Sequence, residues 1–379
     1  MTIPALTPEG CTERRLHLAQ AFDGDLIIIN NPRNLYYYAS FLTPFPSLSQ
    51  WGPVYLLLEV NEGGTTLLCH NFAEAAADRS FTDDMEIWSW YDGLKNPDQD
   101  IFARGATVLC EYLDSRYRWA KIGIEAGTFP LIPGIKSEDC TDLTPLIGRQ
   151  RRAKYPDELT CIRSAQDAAL AGHQAARREI RPGISEIELF NLICAAVTEA
   201  AGVPAMLIGD IISGPRTMEI SGGPTKRVLE QGDTVILDLS PMVGGYRADC
   251  TATILVDAEP DQAQLNLERA LHEAMETGRE LLRPGARAAD VYQNVMACMA
   301  LHGFGDGFTH HAGHGLGLGH PEAPFFVPGS DEELVEGDVV TLEPGCYEPG
   351  CSGRIEHVFL VKENGAEQLT RHDTHFTQG

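Results

Sequence analysis

The chain has no apolar run approaching the ~20 residues that a membrane-spanning helix needs. Its first residues, MTIPALTPEGCTERR, lack the charged-then-apolar order of a secretory leader. It is poor in basic residues: 29 Lys and Arg stand against 54 Asp and Glu, for a formal net charge of −25. That balance argues against nucleic acid or an anionic membrane as a partner and reads as a solubilising surface. No CxxC pair is present, and the ten cysteines are scattered, several inside apolar runs (Cys110, Cys194, Cys298). They read as reduced thiols rather than a disulfide framework or a zinc knuckle, and the expected location is the cytoplasm. A Cys346–Cys351 disulfide is disfavoured on the same ground.

What is there suits a soluble globular protein. Of 379 residues, 43% are hydrophobic, an ordinary share for such a chain. The length suggests two domains. In the first part, 1–20 reads as helical and DLIIIN (25–30) as a buried strand. VYLLLEV (54–60) and TTLLCH (65–70) read as strands joined by an NEGG hairpin turn. ATVLCEYL (106–113) reads as a further strand, and KIGIEAG (121–127) as a short one before a Pro/Gly-rich stretch. No cluster of His, Cys or acids marks this part, so a structural or dimerisation role is expected of it.

The composition shifts at RQRRAKYPDE (149–158). Pro156 suits the first position of a helix, with Asp157 and Glu158 favourable in its first turn. That helix should run to about Ile180 and end at RPG. Ser185 and Glu188 form an S-x-x-E capping box that opens a second helix. The boundary is placed at 152, giving domains 1–152 and 153–379.

The chemistry lies between Gly232 and Glu356. Asp238 (DTVILDLS), Asp249 (GYRADCTATILV), Glu343 (DVVTLEPG) and Glu356 (GRIEHVFLV) sit in or beside apolar, strand-like runs. Burying an unpaired carboxylate costs several kcal/mol or more, so acids placed there imply a compensating charge. Two glycines in SPMVGGY put Asp238 and Asp249 on neighbouring strands of a hairpin. His314 lies among glycines in GHGLGLGHPE, where the backbone comes close to a ligand or another strand. Hard oxygen donors with one imidazole favour Mn²⁺, Mg²⁺ or Co²⁺ over a closed zinc site.

The acids also mark a repeat. QGDTVILD and EGDVVTLE read alike and place Asp238 and Glu343 105 residues apart, while REIRPG and RELLRPG stand at an offset of 102. Two similar α+β half-domains are expected, each a helix, an RPG turn, a second helix and a strand pair carrying two carboxylates. Facing one another, they would form a cleft able to hold two ions ~3.5–4 Å apart. Arg354, two residues before Glu356, is expected on the same strand face and as a partner that orients it. Tyr246 reads as packing.

These motifs resemble the pita-bread metallopeptidases: methionine aminopeptidase, aminopeptidase P, prolidase and their relative creatinase. ILDLS, GYRADCTAT, GHGLGL, TLEPGCY and GRIEHVFLV carry the resemblance over roughly residues 150–370. RRAKYPDEL and IRPGISEIEL are similar to the opening of the prolidase and aminopeptidase P branch. NPRNLYYYASF and KIGIE resemble, more weakly, the extra N-terminal domain of that branch. The resemblance implies a C-terminal pita-bread fold with a pseudo-two-fold repeat, preceded by a smaller α/β domain of creatinase/prolidase type. It implies a homodimer and two divalent ions, Mn²⁺ before Co²⁺ or Zn²⁺, on Asp238, Asp249, His314, Glu343 and Glu356. The implied activity is cleavage of the bond before proline, in the second position of a short peptide, by an Xaa-Pro dipeptidase or aminopeptidase. Glu343 would be ligand and general base, and a histidine would help hold the oxyanion.

Two departures stand out. The upstream segment that usually carries a substrate-contacting histidine here reads SGPRTMEISGGPTKR, with Ser221 at the matching position. The histidine usually seven residues after the ligand histidine is here His320, six residues on, with Pro321 in the usual slot. His320 is expected to be catalytic. His310 or His311 is expected to line the substrate pocket, alongside Ser221 and Arg354. The departures point to another reading, a creatinase-like hydrolase of a small amide or amidine, and the resemblance also leaves open a non-catalytic peptide-binding pita-bread protein.

Overall fold

The computed structural model describes residues 5–42, 52–118, 120–127 and 139–377. They divide into two compact units, one spanning Ala5–Arg151 and the other beginning at Arg152.

The first unit is a six-stranded mixed sheet with helices. In chain order it comprises α1 (Pro8–Gln20), β1 (Leu26–Ile29), α2 (Pro32–Ala39), β2 (Tyr55–Glu59) and β3 (Thr65–His70). Then come α3 (Glu74–Ala77), β4 (Asp84–Trp88), α4 (Ile101–Arg116), β5 (Ile122–Ile124), β6 (Thr141–Asp142) and α5 (Thr144–Gln150). The sheet order is β4-β3-β2-β1-β5-β6. Every residue of β1 is buried, as its unbroken apolar LIII run requires. β2 and β3 form the expected antiparallel hairpin, with Gly63 at φ +74° in its turn.

One expectation fails here. ATVLCEYL (106–113) is not a strand but the middle of helix α4. The side chain of Asp100 caps that helix, accepting from the amides of Phe102 and Ala103 at 2.9 and 3.3 Å. Its buried residues, Gly105, Ala106, Leu109, Tyr112 and Leu113, recur at helical spacing. The period of the whole 101–116 stretch outweighs the β-branched content of eight residues. The Pro/Gly-rich stretch beginning at 128 lies outside the described residues.

The second unit carries the acids. It runs α6 (Pro156–Glu179), α7 (Glu186–Ala201), β7 (Met206–Ser213), β8 (Thr234–Val243), β9 (Tyr246–Arg247), β10 (Cys250–Leu255), α8 (Gln262–Arg279) and α9 (Ala288–Leu301). It continues β11 (His314–Gly315), β12 (Glu322–Phe325), β13 (Val339–Leu342), β14 (Gly345–Glu348), β15 (Cys351–Arg354), β16 (His357–Lys362) and β17 (Gly365–Gln368). Pro156 opens α6, and Glu158 caps it by accepting from the Tyr155 amide at 2.9 Å. The predicted capping box opens α7: Glu188 accepts from the Ser185 amide at 2.9 Å, and Ser185 Oγ from the Glu188 amide at 3.3 Å.

The repeat is real, down to individual hydrogen bonds. Gly183 and Gly285 end the RPG turns at φ +92° and +81°; their amides donate to Leu229 and Leu334 carbonyls at 2.9 and 2.8 Å. Gly232 and Gly337 sit at φ +86° and +89° and donate to Val256 and Val361 at 2.8 and 3.0 Å. Each half therefore makes the same turn on the same contacts. One half builds the sheet β10-β8-β7, the other β12-β11-β13-β16-β17. Each sheet packs on its own pair of helices, α6 and α7 in the first core and α8 and α9 in the second.

The halves meet along a seam of threonines. The Glu356 amide donates to the Thr251 carbonyl at 3.0 Å, and the Arg354 amide to Thr253 Oγ1 at 2.9 Å. Thr253 Oγ1 donates in turn to the Arg354 carbonyl at 2.8 Å. This seam lays the acids of one strand pair beside those of the other.

Candidate metal centre

Asp238 projects from the middle of β8, between Asp210 on β7 and Thr251 on β10 in the strand register. Two carboxylates directly opposite on neighbouring strands repel. Arg354 relieves that repulsion: its Nη2 lies 2.7 Å from Asp238 Oδ2 and 3.7 Å from Asp210 Oδ2. Asp249 enters β10 after a hairpin turn whose two glycines, Gly244 and Gly245, have φ of +57° and +81°, as a two-residue hairpin of the primed class requires. Glu356 lies between β15 and β16, and its Oε2 accepts from Thr251 Oγ1 at 2.8 Å.

His314 is fixed by its glycines. Gly313 has φ +151°, and a Cβ there would meet the Thr341 carbonyl oxygen at 2.0 Å; at Gly315 it would meet the Ala323 oxygen at 2.1 Å. Only glycine allows the backbone this close. His314 Nδ1 lies 2.9 Å from the Gly315 carbonyl oxygen, which can only accept, so Nδ1 carries a proton. Nε2 then faces Asp249 Oδ2 at 3.4 Å and Glu343 Oε1 at 3.7 Å. Glu343 follows β13, and His311 Nε2 lies 2.9 Å from its Oε1. The five sequence-selected residues thus converge. Asp249, His314, Glu343 and Glu356 are only 3%, 4%, 7% and 2% exposed.

The electrostatics call for cations. Burial, with the charges of Asp249, Glu343 and Asp238 adding to it, pushes the Glu356 carboxyl far above its ordinary range. Burial also raises Asp238, to about 7, against the opposing pull of Arg354. Asp249 is held below the usual range because His320 and His314 outweigh its burial, and His311, His314 and His310 do the same for Glu343. His314 is raised to about 9: burial opposes its charge, but Asp249 and Glu343 prevail. Asp238 Oδ1 is buried with no hydrogen-bond partner. An orphaned carboxylate oxygen, an imidazole nitrogen aimed at carboxylates and surplus negative charge fit divalent cations on this donor set.

The other expected residues take varied places. His320 Nε2 lies 2.8 Å from Asp249 Oδ2. Both nitrogens of His310 are engaged, Nδ1 with the His311 carbonyl at 2.7 Å and Nε2 with Tyr347 Oη at 3.0 Å; burial lowers its pKa to about 4. Ser221 is exposed, and its Oγ donates to Asp210 at 3.4 Å. Arg354 pairs directly with Asp238 and Asp210 and reaches Glu356 through Thr251, whose Oγ1 accepts from Arg354 Nε at 3.2 Å and donates to Glu356 Oε2 at 2.8 Å. The strand breaks at Ile355, between β15 and β16, yet both side chains meet the same Thr251 hydroxyl. Tyr246 is buried, with its hydroxyl donating to Glu158 at 2.8 Å. Cys346 and Cys351 are both free.

Sequence reasoning missed Asp210 and Tyr347. Asp210 is a lone charge in the apolar run MLIGDIIS, so the criterion that found Asp238 would have found it. Tyr347 accepts from Arg354 Nη1 at 3.0 Å, and nothing in the sequence separates it from a packing tyrosine.

The model of metallopeptidase family M24 matches residues 160–363, more than half of the chain. The chain belongs to metallopeptidase family M24. This M24 chain is 33% identical over 225 residues to a "probable dipeptidase PepE" of Mycobacterium tuberculosis, covering 59% of this chain and 60% of that protein. It is 32% identical over 222 residues to an Xaa-Pro dipeptidase of Pyrococcus furiosus, covering 58% and 64% of the two chains. The chain therefore spans less than two thirds of the length of these curated relatives. In fold, it matches an Xaa-Pro dipeptidase from Bacillus anthracis with a TM-score of 0.80 at 24% identity, over 98% of this chain and 99% of that one. It matches an X-Pro aminopeptidase from Thermotoga maritima with a TM-score of 0.82 at 23% identity, over 97% and 99%. The pita-bread architecture and the N-terminal domain before it are thus those of the M24 Xaa-Pro peptidase structures. Among the described residues, no helix is long and apolar enough to cross a membrane.

Proposed function

We propose that this M24 chain hydrolyses the peptide bond before proline in short peptides, as an Xaa-Pro dipeptidase or aminopeptidase, with two divalent ions, Mn²⁺ before Co²⁺ or Zn²⁺. The observation that carries this reading is the convergence of Asp238, Asp249, His314, Glu343 and Glu356 from both halves of the repeat. These residues would hold the ions. Bound there, divalent ions supply Lewis acidity, making a water nucleophilic near neutral pH and drawing charge from a carbonyl oxygen. Glu343 is the general base: its carboxyl stays ionised at neutral pH, and His311 fixes one of its oxygens. It takes the proton of the attacking water and passes it to the departing amine. Arg354 neutralises Asp238 and fixes its side chain.

One observation favours a second reading, a small amide or amidine as substrate. Ser221 is turned to Asp210 and brings no imidazole to the cleft. Losing an oxyanion donor costs about 10²–10³ in rate on a peptide.

The deciding experiment loads purified protein with Mn²⁺, counts bound metal and assays proline release from a dipeptide and a tripeptide. Two ions per chain, with release abolished in Glu343→Ala, is the expected result. Bound metal without proline release, but with turnover of small amides, would replace the first reading by the second.

A further inference from the structure

We infer that His320 is a sixth protein donor to the metal centre, joining His314 at Asp249; the inference rests on the metal-centre reading above. His320 Nε2 and His314 Nε2 approach the same oxygen, Asp249 Oδ2, at 2.8 and 3.4 Å. The rings stand nearly perpendicular, at 86° with centroids 5.5 Å apart, so they converge on that oxygen from different directions. One potential ligand atom from each of the three residues lies within 4.8 Å of the other two.

The position of His320 is built. The loop that carries it is tied by Glu322, whose Oε2 accepts from the Gly319 amide at 2.9 Å. Glu322 Oε1 is bridged to Lys154 Nζ at 3.1 Å, and that lysine side chain is 2% exposed. A Cβ at Gly317 would meet Glu322 Oε1 at 2.4 Å, so the loop closes tightly on its staple. His310 makes the contrast. Its Nε2 faces Tyr347, whereas the Nε2 of His320 faces a carboxylate shared with a candidate ligand.

The consequence is a difference in metal preference. Two imidazoles and a carboxylate form the donor set of zinc hydrolase sites and of ferrous sites. Asp238 and Glu356 offer oxygen alone, which suits manganese or magnesium. A second nitrogen donor shifts this end of the centre toward zinc, cobalt or nickel, beyond what the other donors would give.

The test measures binding rather than turnover. Chelator-stripped full-length protein is titrated with Zn²⁺ and separately with Mn²⁺ against a chromophoric competitor, as wild type, His320→Ala and His320→Asp. Loss of even an outer partner of a metal ligand costs about 10–100-fold in affinity, so His320→Ala should weaken Zn²⁺ binding by at least that much. Mn²⁺ binding should weaken less, and the visible spectrum of bound Co²⁺ should change. His320→Asp should keep Mn²⁺ while still losing the Zn²⁺ preference. Unchanged Zn²⁺ affinity and Co²⁺ spectrum in a folded His320→Ala protein would overturn the inference. A fall in turnover alone would make the residue an oxyanion donor instead. The expected binding pattern with no proline release would leave the inference standing and remove the peptidase reading.

Discussion

The guanidinium of Arg354 donates to Asp238 Oδ2 at 2.7 Å, while the other oxygen of that carboxylate is buried without a hydrogen-bond partner. Arg354 itself is 3% exposed and also bonds Tyr347 Oη and the Ile220 carbonyl, at 3.0 and 2.9 Å. Removing one member of a buried ion pair leaves the other uncompensated, at about 3–5 kcal/mol. Arg354→Met should therefore lose about that much stability in metal-free protein, read by urea unfolding. Saturating divalent metal should recover part of the loss, because an ion that binds only the folded state stabilises it.

The glycines around His314 give a second prediction. Gly315→Ala sets a Cβ against the Ala323 carbonyl at 2.1 Å, and backbone must move to admit it. A loss of about 1–3 kcal/mol or more is expected, with weakened metal binding because His314 moves. Gly329→Ala, with nothing within 4 Å of the added carbon, should stay within about 0.5 kcal/mol of wild type. Thermal unfolding of the two variants side by side checks the contrast.

A buried histidine cluster predicts the acid side of the stability profile. His372 stacks on His173 at 4.3 Å and packs on His357 at 4.7 Å, and burial holds all three neutral. The pKa of His372 falls from 6.5 to about 4. A depressed folded-state pKa means that the unfolded chain binds the proton first. The contribution is full above 6.5 and is lost as pH falls toward 4. For His372 alone it amounts to about 3 kcal/mol. Unfolding free energies measured between pH 4 and 7 should fall steeply on acidification, and His372→Gln should flatten the slope.

Ser221 tests the departure from the usual pattern. It is exposed, so Ser221→His should fold as wild type does. If the substrate is a peptide, the added imidazole should raise kcat/KM on Xaa-Pro substrates by up to about 10². No change, or a fall, in kcat/KM with metal still bound would count against a peptide-shaped cleft.

The acids were legible because charge is costly in apolar strands, and the repeat because both halves keep the same GD turn before the site strand. Other features needed coordinates. Helix α4 hid its period behind eight strand-like residues. The direct partner of Arg354, Asp238, lies on the other half of the repeat, and spacing along the chain shows only its neighbour Glu356, which it reaches through Thr251. Asp210 has no acidic counterpart in the repeat, so the repeat does not mark it. The hydrogen-bond states of His310 and His311 depend on which carbonyl or hydroxyl each ring meets, and adjacent identical letters do not differ in that respect.

The threonine seam between the halves has a consequence for assembly. Each half alone carries two acids of the four, an incomplete pair of jaws with no use for an ion. The centre exists only once Thr251 and Thr253 have engaged the strands of Glu356 and Arg354, so closing the seam and creating the centre are one event. Metal added to refolding protein should then act as a latch on a late step, slowing reopening of the seam while leaving the folding of either half unchanged.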